Sequence, residues 1–184
     1  WFSVSTEWEQ EGMKLSPELE ASFNRQITFE FESSIAYRQL AIEMATRDLP
    51  GMAAWLRHQA DEEIVHANKF IDHVTDRGNH AKIGATAQPA NGIDSVLSCF
   101  EAALEHERKV SESIRELYRE AEAAGDLDSR PLLNWFIDEQ IEEEATVGEI
   151  IGRLKLIGDE GLGLIKLDED LGQRPAGSTE APAE

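Results

Sequence analysis

The sequence contains few residues that interrupt helices or cross-link a chain. Its single cysteine, Cys99, excludes an intrachain disulfide, so nothing indicates an oxidising compartment. Because Cys99 lies between Ser98 and Phe100 in an apolar stretch, we interpret it as a small core residue. Only six prolines occur in 184 residues, and the stretches 18–49 and 51–77 contain none. Proline breaks helix interiors, so these stretches favour long helices over a sheet.

Basic residues are also scarce. The chain has 17 Lys+Arg against 37 Asp+Glu, which gives a formal net charge of −20. A negative charge of this size attracts cations and disfavours nucleic acid or an anionic membrane as partners. Solubility alone, however, accounts for much of this acidity. No apolar run approaches the roughly 20 residues that span a bilayer. We therefore expect a cytoplasmic protein with neither a nucleic-acid nor a membrane partner.

Apolar residues recur at alternating spacings of three and four, which predicts four long helices packed at shallow angles. The first begins at Ser16-Pro17 with a cap, a proline and acids in the first turn, and it ends near Pro50. A second helix follows at once and stops at residues 76–79. A third begins at Asn91–Asp94, and a fourth opens at Pro131.

The connections predict the topology. Short connections make the first two and the last two helices antiparallel hairpins, whereas residues 79–92 form a loop long enough to run along the bundle. This crossover brings the third helix parallel to the second, as in ferritin-like bundles. The fold class is therefore all-α: a ferritin-like four-helix bundle with a long crossover and a short fifth helix at 162–171.

The chain divides into three parts. Residues 13–171 are predicted to form the helical domain, and residues 172–184 a disordered tail rich in Pro, Gly, Ser, Ala and Glu. Residues 1–12 do not fit the helical pattern and resemble no signal peptide, so we interpret them as an N-terminal extension, from a tag or an upstream start.

Each predicted helix places a glutamate on its apolar seam near mid-length. They are Glu30, Glu63, Glu107 and Glu143, with Gln140 on the same seam as Glu143. Burying an isolated carboxylate costs several kcal/mol, and the seams carry no lysine or arginine to offset that cost. Metal cations remain as the source of compensating positive charge, and two divalent ions would neutralise four carboxylates.

The second helix adds a nitrogen donor. Glu63 and His66 stand at i and i+3 on one face, so both side chains can bind one ion. Mixed carboxylate and imidazole ligands suit iron or manganese, with zinc possible. Bundle di-metal sites use two Glu-x-x-His motifs, but here only one exists, and the fourth helix offers Glu139–Glu144 instead. A lone Glu-x-x-His is weak evidence, whereas four interrupted seams together are strong.

At these residues the sequence resembles the bacterial non-haem ferritins, from about Leu15 to Leu171. The segments that carry the resemblance are 24–37, 56–66, 105–107, 134–144 and 161–164. The resemblance implies iron storage in a shell of 24 subunits, with the fifth helix at the four-fold axis. It also implies a ferroxidase centre that oxidises Fe²⁺ with O₂ or H₂O₂.

The resemblance also implies roles for individual residues. It gives the first iron the ligands Glu30, Glu63 and His66, and the second iron Glu63, Glu107 and Glu143, with Glu63 bridging. Tyr37 matches a tyrosine that can supply an electron, and Gln140 matches a glutamine beside the second iron. A third iron site toward the cavity would use Glu62, Glu139, Glu142 and Glu143.

Some features distinguish this chain from related families. Ile64 stands where bacterioferritins carry a haem-ligating methionine, so we expect no haem. The main alternative is a rubrerythrin-like di-iron peroxidase without storage, against which stand the missing second Glu-x-x-His and the absence of a Cys-x-x-Cys segment. A DNA-protecting mini-ferritin and a purely structural bundle fit the charge and the buried acids less well. The remaining histidines, His58, His73, His80 and His106, are expected at the surface or in loops.

Overall fold

A computed structural model describes residues 13–89, 92–158 and 160–173. Within these ranges the chain forms five helices and no strand, which confirms the all-α prediction. They are α1 (Pro17–Ala45), α2 (Pro50–Asp76), α3 (Val96–Ala123), α4 (Arg130–Ile157) and α5 (Gly161–Gly172). None of these helices combines the length and apolar character that a membrane crossing requires.

Side-chain caps define the starts of two helices. The Ser16 hydroxyl accepts a hydrogen bond from the Leu19 amide at 3.2 Å, so α1 begins where the sequence predicts. For α3, Ser95 and Ser98 form a reciprocal capping box, with hydroxyl–amide distances of 3.0 and 2.9 Å. The predicted start at Asn91–Asp94 was therefore too early.

The connection between α2 and α3 runs along the side of α1. Three backbone amides of the connection donate to side chains spaced four residues apart on one face of α1. The pairs are Lys82 N to Asn24 Oδ1, Gly84 N to Thr28 Oγ1 and Ala87 N to Glu32 Oε1, each 2.8 Å long. The connection thus travels from the N-terminal toward the C-terminal end of α1 and confirms the predicted long crossover.

The short fifth helix docks on the N-terminal end of α2. The buried Asp168 of α5 accepts a hydrogen bond from the Met52 amide at 2.7 Å and so satisfies a free N–H in the first turn of α2. Helix α5 runs to Gly172, one residue beyond the predicted end of the domain. The predicted N-terminal extension at 1–12 and most of the predicted tail lie outside the described residues.

A layer of polar side chains divides the hydrophobic core into two clusters. The cluster on the α5 side contains Tyr37, Trp55 and Cys99, so Cys99 is a core residue as predicted. The other cluster contains Phe23 and Phe136. On each long helix a buried glutamate lies in sequence between the residues of the two clusters, and these glutamates with their polar neighbours form the candidate site.

Candidate metal centre

The four seam glutamates are all buried at mid-length of their helices. Glu30 on α1 is 0% exposed, Glu63 on α2 1%, Glu107 on α3 0% and Glu143 on α4 4%. The helical period that places apolar residues on either side of them also turns these carboxylates inward. The seam argument from the sequence therefore located four buried acids.

Glu30, Glu63 and His66 approach one another closely enough to share a metal ion. Each offers one ligand atom, and these atoms lie within 4.8 Å of one another. His66 Nδ1 is 3.3 Å from a carboxylate oxygen of Glu63. The rings of Trp135 and Phe136 contact the imidazole edge to face, at 5.7 and 5.5 Å between centroids, and so restrict its orientation. Among the described residues this is the one such trio of potential metal ligands.

Tyr37 and Gln140 both donate to Glu107. The Tyr37 hydroxyl forms a short hydrogen bond with Glu107 Oε1, and the Gln140 amide donates to Oε2 at 3.1 Å. Gln140 lies also within 3.2 Å of the Ser111 hydroxyl, which fixes its amide on this side of the bundle. The two residues assigned beside the metal ions by resemblance thus lie one hydrogen bond away from an expected ligand.

Two further glutamines contact the cluster, although the sequence analysis assigned neither of them a role. Gln26 donates to Glu30 Oε1 at 2.7 Å, and Gln59 donates to Glu143 Oε2 at 2.7 Å. Both are buried. Each stands four residues before a seam glutamate of its own helix, so continuing the seams back by one turn would have identified them.

Burial raises the pKa of every seam glutamate, and repulsion from nearby carboxylates adds to this effect. Burial is the largest cause for all four, and it raises the pKa of Glu30 and Glu63 well above the usual 4.5. The pKa of Glu143 rises to about 8, with repulsion from Glu107 as the next cause. When these acids ionise, their uncompensated negative charge favours a nearby cation, and cation binding would release the protons.

Within the described part of the chain, no buried lysine or arginine lies beside these acids. The one buried arginine or lysine among the described residues is Arg77. It pairs instead with Asp126, at 2.8 Å, where the connection between α3 and α4 lies. Tyr37 responds to the same environment, since burial and the nearby carboxylates raise the pKa of its hydroxyl well above 10.0. The described residues thus offer this cluster no buried lysine or arginine as a partner.

The four residues assigned to a third iron site are placed unequally. Glu62 and Glu139 are buried, and their negative charges contribute to the raised pKa of Glu143. Glu142 is exposed to solvent on the single chain. The structure therefore brings Glu62, Glu139 and Glu143 within electrostatic range of one another and leaves Glu142 at the surface.

Three histidines differ from the predicted surface or loop positions. His58, His73 and His106 are half-buried, whereas His80 is exposed in the crossover. His106 Nε2 is 2.8 Å from the Ser33 hydroxyl, and burial lowers the pKa of this imidazole to about 4. His73 Nε2 is 2.8 Å from the Ser129 hydroxyl, and burial lowers its pKa as well.

Comparisons with known proteins agree with this geometry. A family model for the ferritin-like domain matches residues 20–157. The bacterial non-haem ferritin of Escherichia coli O157:H7 is 33% identical over 157 residues, which cover 85% of this chain and 95% of that protein. The bacterial non-haem ferritin of Bacteroides fragilis (strain YCH46) is 35% identical over 160 residues, covering 87% and 99%.

A solved structure gives the same answer. The open-pore ferritin of the hyperthermophilic archaeon Archaeoglobus fulgidus matches with a TM-score of 0.86 and 36% identity, covering 89% of this chain and 99% of that one. The family model, the sequence relatives and the solved structure thus each match most of the chain. The chain therefore belongs to the ferritin family, in which it is similar to the bacterial non-haem ferritins.

Proposed function

We propose that this protein is an iron-storage ferritin with ferroxidase activity. Two Fe²⁺ ions bind inside one subunit, are oxidised there by O₂ or H₂O₂, and leave as Fe³⁺ for a mineral in the cavity of a hollow shell. Iron is thus the substrate and the cargo. The ligands are Glu30, Glu63 and His66 for one ion and Glu63, Glu107 and Glu143 for the other, with Glu63 shared.

One observation carries the proposal. Four glutamates and a histidine are buried together in a layer that contains no lysine or arginine among its buried residues. A buried cluster of acids without lysine or arginine is costly unless protons or metal cations neutralise it. Its oxygen-rich donor set suits iron and stabilises the ferric over the ferrous ion.

The chemistry of the layer follows from its charges. As Fe²⁺ binds, the carboxyl groups with raised pKa lose their protons. Each Fe²⁺ gives up one electron, and two electrons with two protons convert O₂ to H₂O₂, or H₂O₂ to two water molecules. Tyr37, whose hydroxyl donates to Glu107, would replace one Fe²⁺ as an electron donor to the oxidant and pass its hydroxyl proton to Glu107. Gln140 holds the other oxygen of Glu107.

Iron leaves the centre toward the cavity through a third site. Glu62, Glu139 and Glu143 provide its buried carboxylates, and Glu142 provides an exposed one at the surface. The hard carboxylate oxygens of these residues are suitable ligands for Fe³⁺. Their negative charge favours the transfer of Fe³⁺ from one acid to the next.

The store requires a homo-oligomer, for which we propose 24 copies in the cytoplasm. In that assembly α5 lines the four-fold axis. Leu162 and Ile165 of α5 are 75% and 56% exposed on the single chain, and neighbouring subunits would cover them. Haem has no part in this proposal, because Ile64 occupies the position of the ligating methionine.

Glu63 is the residue on which the assignment depends most. We expect Glu63→Gln to slow the initial aerobic oxidation of Fe²⁺ by 100-fold or more, since loss of even an outer partner of a metal ligand costs about 10- to 100-fold. Stopped-flow absorbance of the ferric product measures this rate. Asp72→Asn removes an exposed acid from the same helix and should oxidise iron normally. Near-normal oxidation by Glu63→Gln would overturn the ligand assignment.

A further inference from the structure

Two carboxylate oxygens in the metal centre are buried without a hydrogen-bond partner among the described residues. They are Glu30 Oε2 and Glu143 Oε1, and the third buried side-chain atom of this kind is Nδ1 of His58. Buried polar atoms rarely lack a partner, so each such case requires an explanation. In both glutamates the second oxygen is already held, by Gln26 in one case and Gln59 in the other, at 2.7 Å.

The Gln26 amide is held in a defined orientation from the opposite side. Its own oxygen accepts a hydrogen bond from the Ser113 hydroxyl of α3 at 2.5 Å. Because the amide oxygen faces Ser113, the NH₂ group faces Glu30. A carboxylate that binds a metal can only accept hydrogen bonds, so an NH₂ donor is the group that it needs on its second oxygen.

Gln59 makes the corresponding contact with a ligand glutamate across the bundle. It lies on α2, is 0% exposed, and reaches Glu143 on α4. Helix packing rather than a local turn therefore fixes this contact. Glu107 differs from both ligands, since Tyr37 and Gln140 occupy both of its oxygens.

We propose that Gln26 and Gln59 are positioning residues of the iron centre. Each holds one oxygen of a ligand glutamate and leaves the other for the ion, so Glu30 and Glu143 bind through one oxygen each. This inference rests on the proposed function, because it takes the two ions to bind in this layer. Partners of this kind orient metal ligands, and their loss typically weakens metal binding by about 10- to 100-fold.

Cobalt(II) tests the proposal without iron oxidation. Gln26→Met and Gln59→Met remove the amide at similar volume, and visible absorption of bound Co²⁺ reports coordination number and geometry. We expect each variant to lower the binding affinity for one of the two Co²⁺ ions by about 10- to 100-fold and to change the ligand-field spectrum of that ion. The other ion should bind as in the unmodified protein.

The same helix supplies a matched control. Gln39 donates to Glu43 at 3.2 Å with the same four-residue spacing as Gln26 and Glu30, but outside the metal centre. Gln39→Met should leave both affinity and spectrum unchanged. Ser113→Ala should reproduce the Gln26→Met spectrum in part, whereas Ser113→Thr keeps the hydroxyl and should bind normally. The Ser113 pair tests the proposal even if a glutamine variant does not fold.

The outcomes separate this inference from the proposed function. A protein that does not bind two Co²⁺ ions per chain contradicts the iron centre itself, and the inference with it. Two ions bound with unchanged affinity and spectrum in Gln26→Met and Gln59→Met contradict the inference alone. Lower thermal stability of these metal-free variants, with unchanged Co²⁺ binding, would assign the glutamines a structural role and likewise contradict it.

Discussion

At the scale of single residues, protons and metal ions compete for the same carboxylates. Burial raises the pKa of Glu30, Glu63, Glu107 and Glu143, so the metal-free fold takes up protons that the unfolded chain would release. Bound cations have the opposite effect on protonation, because they favour the ionised carboxylates in the folded state. The stability of the protein should therefore depend on pH in opposite ways with and without metal.

The metal-free protein should lose stability as the pH rises from about 6.5 to about 8. In this window the folded state holds the proton of Glu143, whose pKa is about 8, whereas the unfolded chain does not. Each such proton lowers the free energy of unfolding by up to about 1.4 kcal/mol per pH unit. His73 and His106, with lowered pKa, act oppositely but only below their ordinary value of 6.5. Calorimetry of the metal-free protein at several pH values measures the slope.

Zn²⁺ and the Glu143→Gln variant provide the controls for this pH dependence. Saturating Zn²⁺ should abolish or reverse the loss, since binding displaces the protons. Glu143→Gln removes one titrating group and should reduce the slope in metal-free protein. A melting temperature of the metal-free protein that stays constant or rises between pH 6.5 and 8 would contradict the account.

Residue patterns in the sequence predicted the candidate ligands better than the residues that hydrogen-bond to them. A glutamate on an apolar seam breaks the hydrophobic pattern, so Glu30, Glu63, Glu107 and Glu143 were visible from the sequence. Gln26 and Gln59 stand one turn before seam glutamates, but they were assigned no role because a buried glutamine carries no charge that requires a cation. Their amides matter only through contacts that the fold creates, one with a residue of its own helix and one with a residue 84 positions away.

At the scale of helices, the contact between α5 and α2 depends on a glycine. A Cβ built on Gly51 would lie 1.8 Å from the backbone oxygen of Asp168, far inside any contact distance. The same approach allows Asp168 to cap Met52. We therefore expect Gly51→Ala to displace α5 and to lower the free energy of unfolding by about 1–3 kcal/mol, the usual cost of overpacking.

Calorimetry and hydrogen exchange of residues 161–172 would detect this displacement. Gly148→Ala is the matched control, because its added methyl meets no described residue within 4 Å. Alanine favours a helix over glycine by about 1 kcal/mol, so this control should be neutral or more stable. Equal stability and equal exchange in α5 for Gly51→Ala would exclude the proposed role of Gly51.

Local sequence signals predicted the helices, but they did not predict the contacts between the helices. Ser16 and Pro17 marked the start of α1 because capping depends on neighbouring residues. The start of α3 was misplaced, because a Ser95–Ser98 capping box lacks the usual glutamate signature. The cap of α2 by Asp168 spans 116 residues, and no local pattern predicts it.

At the scale of the whole molecule, the polar layer and the two apolar clusters have different roles. The clusters hold the bundle together on both sides of the layer, so the layer itself can be selected for metal binding rather than for packing. The formal charge of −20 favours cations around each subunit. Storage, however, is a property of the assembly, since one bundle has room for only a few ions.

The most direct test of the account is the iron content of the assembled protein. The protein is loaded aerobically with excess Fe²⁺ and separated by size-exclusion chromatography with light scattering, and iron per chain is measured. We expect iron far above two per chain, co-eluting with a species of about 24 subunits. An end point of about two iron ions per chain in a small oligomer would contradict storage and would indicate a di-iron redox enzyme of the rubrerythrin kind instead.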